Sequence, residues 1–414
     1  MEAVRWRELE SLPSQGFSAQ SAGTTSGRNL MNHLSRLAFG ACIGAVVSLA
    51  AALQAQAEIV VGGTFSLTGP AAALGTSFQR TLPLLPKEIA GEPVRYVIVD
   101  DGSDPSAAVR NVRKLITENH VDVLIGPTNA ATGYAIAPVL GELKVPLISG
   151  TALDLFGDKS EWFINLSTPI TMWVAQIVNH MKDSGLKKVA FVGYNDVYGD
   201  TAFAAFKKDC AEAGLEIVAD ERFARSDTSF VGQALRISTA KPDGIFIAAS
   251  GSPAVLPNVT LRERGYNKPL YNAPVAVSQD FLRLGGSKVE GVISAAYLIA
   301  VPHQIPDSNP SKKAVTELFD EFTKMYPNMQ PDTQNPTAYD SGVVLKMVAT
   351  EALKVAKPGT EEFRVAIRDR MHTINGLVGS VGVYQFKPGE PYGVQENSIA
   401  FVYVKNGKWT YLGK

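Results

Sequence analysis

From residue 58 onward, short apolar runs rich in Val and Ile alternate with longer segments of helical periodicity. That alternation admits few folds. Strand candidates fall at 59–64, 94–99, 121–125, 146–149, 188–192, 215–218, 244–248 and 291–295, with helices expected near 106–119, 131–143, 172–184, 198–213, 230–240 and 253–265. The runs are too continuously apolar for half-exposed antiparallel strands, so parallel sheets covered by helices on both faces are expected. From about residue 308 the rhythm changes to helices at 311–326, 337–356 and 361–371. Late strands near 381–386, 399–404 and 409–412 follow, set off by the turn signals Pro388-Gly389 and Asn406-Gly407. A change of composition without a linker suggests a chain that crosses back between lobes, the Pro-rich stretch 302–310 being one candidate crossing.

Ahead of this region lies an apolar run at 37–53 closed by Ala55-Gln56-Ala57. It is short for a membrane span and rich in small residues, and small residues three and one before the cut suit a signal peptidase. Cleavage after Ala57 and a periplasmic location are expected; an uncleaved anchor would want a basic flank after Ala57, and none is there. Met31, which precedes a weakly basic stretch ending at Arg36, competes with Met1 as the initiator. Cys42 is poorly placed for lipidation. Removal of 1–57 leaves roughly 360 residues, beyond the size at which one core usually keeps growing, so two lobes are expected.

The chain carries 39 Lys and Arg against 40 Asp and Glu. Such balance argues against nucleic-acid binding, which calls for a basic face. Cys210 would be the one thiol left after processing, so no internal disulfide is expected. The glycines of Gly62-Gly63 and Gly69 match neither a P-loop nor G-x-G-x-x-G and are read as a tight turn closing the first strand. Asp100-Asp101 with Asp104-Pro105 looks like a metal cluster, but Asp104 before Pro105 fits a helix N-cap, and the calcium-loop spacing fails. Five isolated histidines, no G-x-S-x-G and no C-x-x-C leave no local support for a metal centre, a hydrolase serine or a redox pair.

Two turns remain. Ile125-Gly-Pro-Thr-Asn-Ala-Ala-Thr-Gly133 ends one strand and opens a helix, and Ile148-Ser-Gly-Thr-Ala-Leu153 follows the next. In an open α/β sheet, ligands bind beyond the carboxyl ends of strands, where helix N-terminal N–H groups hold anions. The alternative is a pair of well-capped helices with no ligand.

The chain resembles the type I periplasmic solute-binding proteins, in particular the leucine-binding-protein-like group serving ABC transporters for branched-chain amino acids and related compounds. The resemblance rests on Ser66-Leu-Thr-Gly-Pro70, Asp100-Asp101 with Asp104-Pro105, Ile125-Gly126-Pro127, Val145-Pro-Leu-Ile-Ser149, Asn195-Asp-Val-Tyr198-Gly199 and Tyr384-Gln-Phe-Lys-Pro388. It implies an α/β fold of two doubly wound parallel-sheet lobes joined by a three-crossing hinge, with 58–169 and 299–392 as lobe one and 170–298 and 393–414 as lobe two. It also implies capture without catalysis, no cofactor and no metal, a monomer, and two partners: a carboxylate-bearing solute and a membrane permease.

Carried over residue by residue, the carboxylate-holding turn falls on Asn129, Ala130, Ala131 and Thr132, the second turn on Thr151, Ala152 and Leu153, and a pocket tyrosine on Tyr198. Departures accompany these matches. Ala130 and Leu153 stand where the leucine-binding relatives have hydroxyl residues, and Leu74 and Gly251 where they have aromatics. Pro274 lies where an acidic residue pairs with the substrate ammonium. Because 272–277 contains no carboxylate, a buried ammonium would lack its counter-charge there, and the segment 384–393 looks closer to relatives that take aromatic or other organic acids. A sensor subunit of the same fold and a secreted α/β enzyme are the competing readings.

Overall fold

The computed structural model describes residues 58–413; the leader, with the expected cut after Ala57, lies outside them. Two sheets organise this region. The first contains β1 (Ile59–Phe65), β2 (Glu88–Ile89), β3 (Glu92–Asp100), β4 (Val123–Ile125), β5 (Leu147–Ser149) and β6 (Phe163–Asn165), in the spatial order β2-β3-β1-β4-β5-β6. The second contains β7 (Lys188–Tyr194), β8 (Glu216–Phe223), β9 (Gly244–Ala248), β10 (Leu270–Asn272) and β11 (Ile293–Tyr297). A separate hairpin, β12 (Asn375–Val378) and β13 (Val383–Gln385), precedes β14 (Ile399–Lys405) and β15 (Lys408–Gly413). These last two complete the second sheet as β15-β14-β11-β10-β9-β7-β8.

The pairs β3-β1-β4-β5-β6 and β8-β7-β9-β10-β11 are all parallel, and antiparallel strands occur only at the outer edges. The reason is visible in β1, where Ile59 and Val61 join one apolar cluster and Val60 joins another with Val112, Leu115 and Leu140. A strand buried on both faces must be apolar at every position. Helices supply the cover: α1 (Ala72–Thr81), α2 (Pro105–Thr117), α3 (Ala130–Leu143), α4 (Ile170–Asp183), α5 (Val197–Ala213), α6 (Val231–Ala240), α7 (Val255–Glu263), α8 (Gln279–Gly285), α9 (Lys312–Met325), α10 (Gln334–Ala352) and α11 (Glu361–Met371). Since α10 packs on α1 and β5, and α11 on β6, the chain passes between the sheets three times: after residue 165, after 297 and before 399. No helix among the described residues is long and apolar enough to cross a membrane.

Several elements differ from the sequence expectation. Gly62 and Gly63 do not form a turn; they lie inside β1, where a Cβ would press on Val121 and on the Phe65 ring. Strand β8 extends to Phe223 because it is a half-buried edge strand whose Asp220, Glu221 and Arg222 interrupt the apolar pattern. The three-residue strands β6 and β10 are too short to show a period. Helix α1 is diluted by Gly75, Thr76 and Ser77, and Gly75 is there because any Cβ would collide with the Ser66 carbonyl. The Pro-rich stretch lies against the second sheet, Gln304 accepting the Tyr411 N–H at 2.9 Å. At α2 the Asp104 side chain accepts the Ala107 N–H at 2.6 Å with Pro105 next in line, the N-cap read from sequence.

One buried carboxylate gives the fold a pH signature. Asp122, fully buried, accepts the Val60 N–H at 2.9 Å and the Gly359 N–H at 2.6 Å, tying the first sheet to the loop before α11. Burial pushes its pKa up to about 6 against those hydrogen bonds. A folded-state pKa above the unfolded value contributes stability that is complete below the unfolded pKa and lost as pH rises through about 6. The loss attributable to this group is expected to reach about 3 kcal/mol. Thermal melts from pH 4 to pH 7 should therefore show a smaller fall for Asp122→Asn than for the wild type; parallel curves would remove Asp122 as the cause.

Candidate ligand-binding site

Each sheet reverses its winding order once. In the first the reversal falls between β1 and β4, and in the second between β7 and β9. The carboxyl ends flanking such a switch point open a crevice where α/β proteins bind ligands. Beyond β1 and β4 lie Ser66 and 126–132; beyond β7 and β9 lie 195–198 and 249–251.

In the first lobe Asn129 caps α3. Its Oδ1 accepts the Thr132 N–H at 3.1 Å, while the Thr132 hydroxyl turns back to the Asn129 carbonyl. Asn129 is held in turn by Ser66: its Nδ2 donates to the Ser66 Oγ at 2.5 Å, and that hydroxyl donates to the buried Asp101 carboxylate at 2.7 Å. Asp101 also receives the Ser103 N–H and the Thr64 hydroxyl, so the aspartates serve to position the turn. Among the described residues no group of three or more His, Cys, Asp or Glu could hold a metal ion.

The cap leaves two donors over. The N–H groups of Ala130 and Ala131 have no acceptor within the helix and make no other hydrogen bond among the described residues. The N–H of Thr132 is consumed by its own cap, which narrows the anion-holding part of this turn to the two alanines. The second turn is pinned beside the first by the Thr151 hydroxyl, which donates to the Pro127 carbonyl at 2.9 Å. Its Ala152 N–H is likewise unspent. Leu153 is fully buried, its side chain packed into the lobe core so closely that a Cβ on Gly133 would lie 2.6 Å from its Cδ2. Only its backbone is left for the crevice. Leu74 sits half-exposed near the start of α1.

In the second lobe Tyr198 occupies the first turn of α5, whose N-cap Asp196 accepts the Gly199 N–H at 3.1 Å. The Tyr198 hydroxyl is buried with no hydrogen-bond partner among the described residues, and burial pushes its pKa far above the ordinary phenol range. It stays a neutral donor at any physiological pH. Gly251 and Pro274 fall on adjacent loops joined by the Gly251 N–H to the Val275 carbonyl at 3.0 Å; Pro274 is buried, and Gly251 is exposed.

Four residues the sequence did not flag, Tyr134, Asp154, Arg225 and Tyr297, join these, together with Tyr392 of the segment 384–393. Arg225 lies over the Tyr194 ring at 3.9 Å, donates from Nε to Asp196 at 2.8 Å and from Nη1 to the Ser250 hydroxyl at 3.0 Å, binding three strand ends of the second lobe together. Tyr297, on the second crossing, accepts the Thr168 hydroxyl of the first at 3.2 Å and stands close enough to Tyr198 and Tyr392 to add to the upward pKa shift that burial gives both. Tyr392, on the third crossing, donates to Asp154 Oδ1 at 2.6 Å, and the Asp154 N–H donates to the Tyr134 hydroxyl at 3.0 Å. No spacing rule links residues 134, 154, 297 and 392; the crossings bring Tyr297 and Tyr392 to the first lobe's residues. A cavity of about 650 Å³ lies between α1 and the loop before α8, lined among others by Ala73, Thr76, Arg80, Val277, Asp280 and Tyr297; Tyr297 is the one residue it shares with the candidate site.

Two doubly wound α/β sheets joined by three crossings, with unspent backbone donors at the switch point of one and an unpartnered phenol at that of the other, are the architecture of a two-lobed solute-binding fold. The chain belongs to the periplasmic binding protein family, whose model matches residues 58–408. It is similar to an extracellular ligand-binding receptor from Rhodopseudomonas palustris HaA2, 40% identical with a TM-score of 0.81, covering 86% of this chain and 99% of that one. The Leu/Ile/Val-binding protein BraC3 of Rhizobium johnstonii is 24% identical over 260 residues, 60% of this chain and 70% of that protein. The fold is also that of the branched-chain amino acid transporter substrate-binding protein LivJ of Streptococcus pneumoniae, solved with isoleucine, at 21% identity and a TM-score of 0.72 over 85% of this chain and 97% of that one.

Proposed function

We propose that the protein is the extracytoplasmic solute-binding component of an ABC transporter, capturing a small carboxylate-bearing solute between its lobes and delivering it unaltered to a membrane permease. Export with cleavage after Ala57 and a periplasmic location belong to this reading, as do lobe boundaries at 58–169 with 299–392 and 170–298 with 393–414. The observation that carries it is the set of unspent N–H groups at Ala130, Ala131 and Ala152 in lobe one, together with the buried, partnerless Tyr198 hydroxyl in lobe two. The open lobes admit the solute, the backbone donors of lobe one take its carboxylate, and Tyr198 closes over it from lobe two. A helix N-terminus contributes up to roughly 2 kcal/mol to a partly buried anion, so several such donors with apolar enclosure reach micromolar affinity.

Closure requires that the solute bind the closed state better than the open one, since only differential affinity shifts the population. The solute class is branched-chain amino acid-like or an aromatic or other organic acid. Thermal-shift titration with branched-chain amino acids, aromatic acids and dicarboxylates tests this. A true ligand at 100 times its Kd is expected to add about 2.7 kcal/mol of apparent stability. A shift with none of these carboxylates, or turnover of the one that binds, would overturn the reading.

A further inference from the structure

We propose that Arg80 and Asp280 form an interlobe latch: an ion pair, unmade in this structure, that joins the lobes when they close and holds part of the protein closed before any solute arrives. It rests on the lobe closure of the reading above and goes beyond it, because neither residue belongs to the solute-holding turns. The latch spans the cavity of about 650 Å³ between α1 and the loop before α8. One wall belongs to the first sheet. Phe78 of α1 packs on Phe65 of β1 with ring centroids 5.0 Å apart, and Ala73, Thr76 and Arg80, spaced three and four residues apart, turn the opposite face of that helix to the cavity. The other wall belongs to the second sheet, where Phe281 of α8 packs on Trp409 of β15 with centroids 5.5 Å apart. Each wall follows the carboxyl end of a strand, α1 after β1 and 277–280 after β10, so closure over a solute at the strand-end turns narrows this gap as well.

The charges on the two walls are complementary. Arg80 is the one cation lining the cavity; it is half-buried, and its guanidinium makes no hydrogen bond or ion pair among the described residues. An acid of its own lobe, Asp332, also lines the cavity, but its Oδ1 already accepts the Ser77 hydroxyl at 2.6 Å and the Gln334 N–H at 2.9 Å, and burial raises its pKa against them and against the field of Arg80. Asp280 is the acid of the opposite wall. It is held only by Arg283, three residues on in the same short helix at 2.8 Å, with both side chains more than half exposed. Such a surface pair is weak and readily exchanged. A guanidinium without an acceptor is costly to desolvate further, so narrowing the gap favours the arrangement that gives Arg80 a carboxylate. Because the pair forms only in the closed arrangement, its whole strength shifts the population toward closure.

The test is pulsed electron spin resonance on the purified mature protein without solute, with spin labels on Ser106→Cys of α2 and Ala204→Cys of α5, both exposed positions; the native Cys210 is buried. Two interlobe distances are expected, the shorter falling about fivefold relative to the longer in Arg80→Gln and in Asp280→Asn. The double variant should lose no more than either single one, since both remove the same pair, and Arg283→Gln, which frees Asp280, should enlarge the shorter population. Urea melts check that each variant folds; should Arg80→Gln not fold, Asp280→Asn and Arg283→Gln, which must move the populations in opposite directions, decide the matter. A distribution that no variant moves, or single losses that add in the double variant, overturns the latch. Either result leaves carboxylate capture standing, since the turns at 129–132 and 151–153 are untouched; that reading fails instead by the absence of any carboxylate-induced thermal shift.

Discussion

Gly199→Ala is expected to lower solute affinity by about 100-fold and stability by about 3 kcal/mol. The methyl group would be driven into the backbone carbonyl of Tyr194, a rigid strand end that cannot swing aside as a side chain would. The first turn of α5 must then lift from β7, carrying Tyr198 with it and breaking the Asp196 cap on the Gly199 N–H. A nearby control separates this collision from a general helix effect. Gly214, just past the other end of α5, has φ +74° and open space around the corresponding Cβ. Gly214→Ala should cost about 1 kcal/mol from left-handed backbone strain alone and leave affinity untouched. Titration calorimetry and urea unfolding on both variants check this; equal affinities for the two would dissociate Tyr198 from solute capture.

The second large effect is expected at Asp340. This fully buried carboxylate on α10 accepts the Ser380 N–H at 2.7 Å, the Ser380 hydroxyl at 2.8 Å, the Val381 N–H at 2.9 Å and the Tyr384 hydroxyl at 2.6 Å. Among the described residues no cation pairs with it, and burial raises its pKa above the ordinary carboxylate range against those four donors. Asp340→Ala leaves the donors orphaned in the core, which outweighs the relief of removing a buried charge, and about 3 kcal/mol should be lost. Asp340→Asn keeps one acceptor oxygen and should lose about half as much. Because the network fastens the β12–β13 hairpin from which the third crossing departs, the alanine variant should also loosen solute binding. Chemical denaturation with the transition slope monitored gives the answer, and a loss under about 1 kcal/mol would mean the hairpin is held by its apolar contacts instead.

Much of the architecture could be read from the chain. Strands such as β1, β7 and β9 announce themselves because they are buried on both faces and must be apolar throughout, and Asp104-Pro105 announces a helix start because the N-cap needs an acceptor and the first turn needs no N–H. Where polar residues face solvent along an edge, as in β8, or where close approach demands small residues, as in α1, the pattern fades. The candidate site could be read only in part. The turns at 129–132 and 151–153 follow the ends of β4 and β5, and the first of them opens α3, so local chemistry marks them as candidates. The sequence did not show that Thr132 spends its N–H on its own cap, nor that Leu153 turns inward.

The sequence by itself determined the two doubly wound sheets, the helix caps and the absence of a carboxylate near Pro274, because each depends on contacts or periodicities spanning a few residues. The tertiary structure alone decided which distant side chains share the crevice. Tyr134, Asp154, Tyr297 and Tyr392 meet through hydrogen bonds and electrostatic contacts between segments separated by up to 238 positions. Such meetings leave no local trace, since they are set by where three crossings bring the chain back.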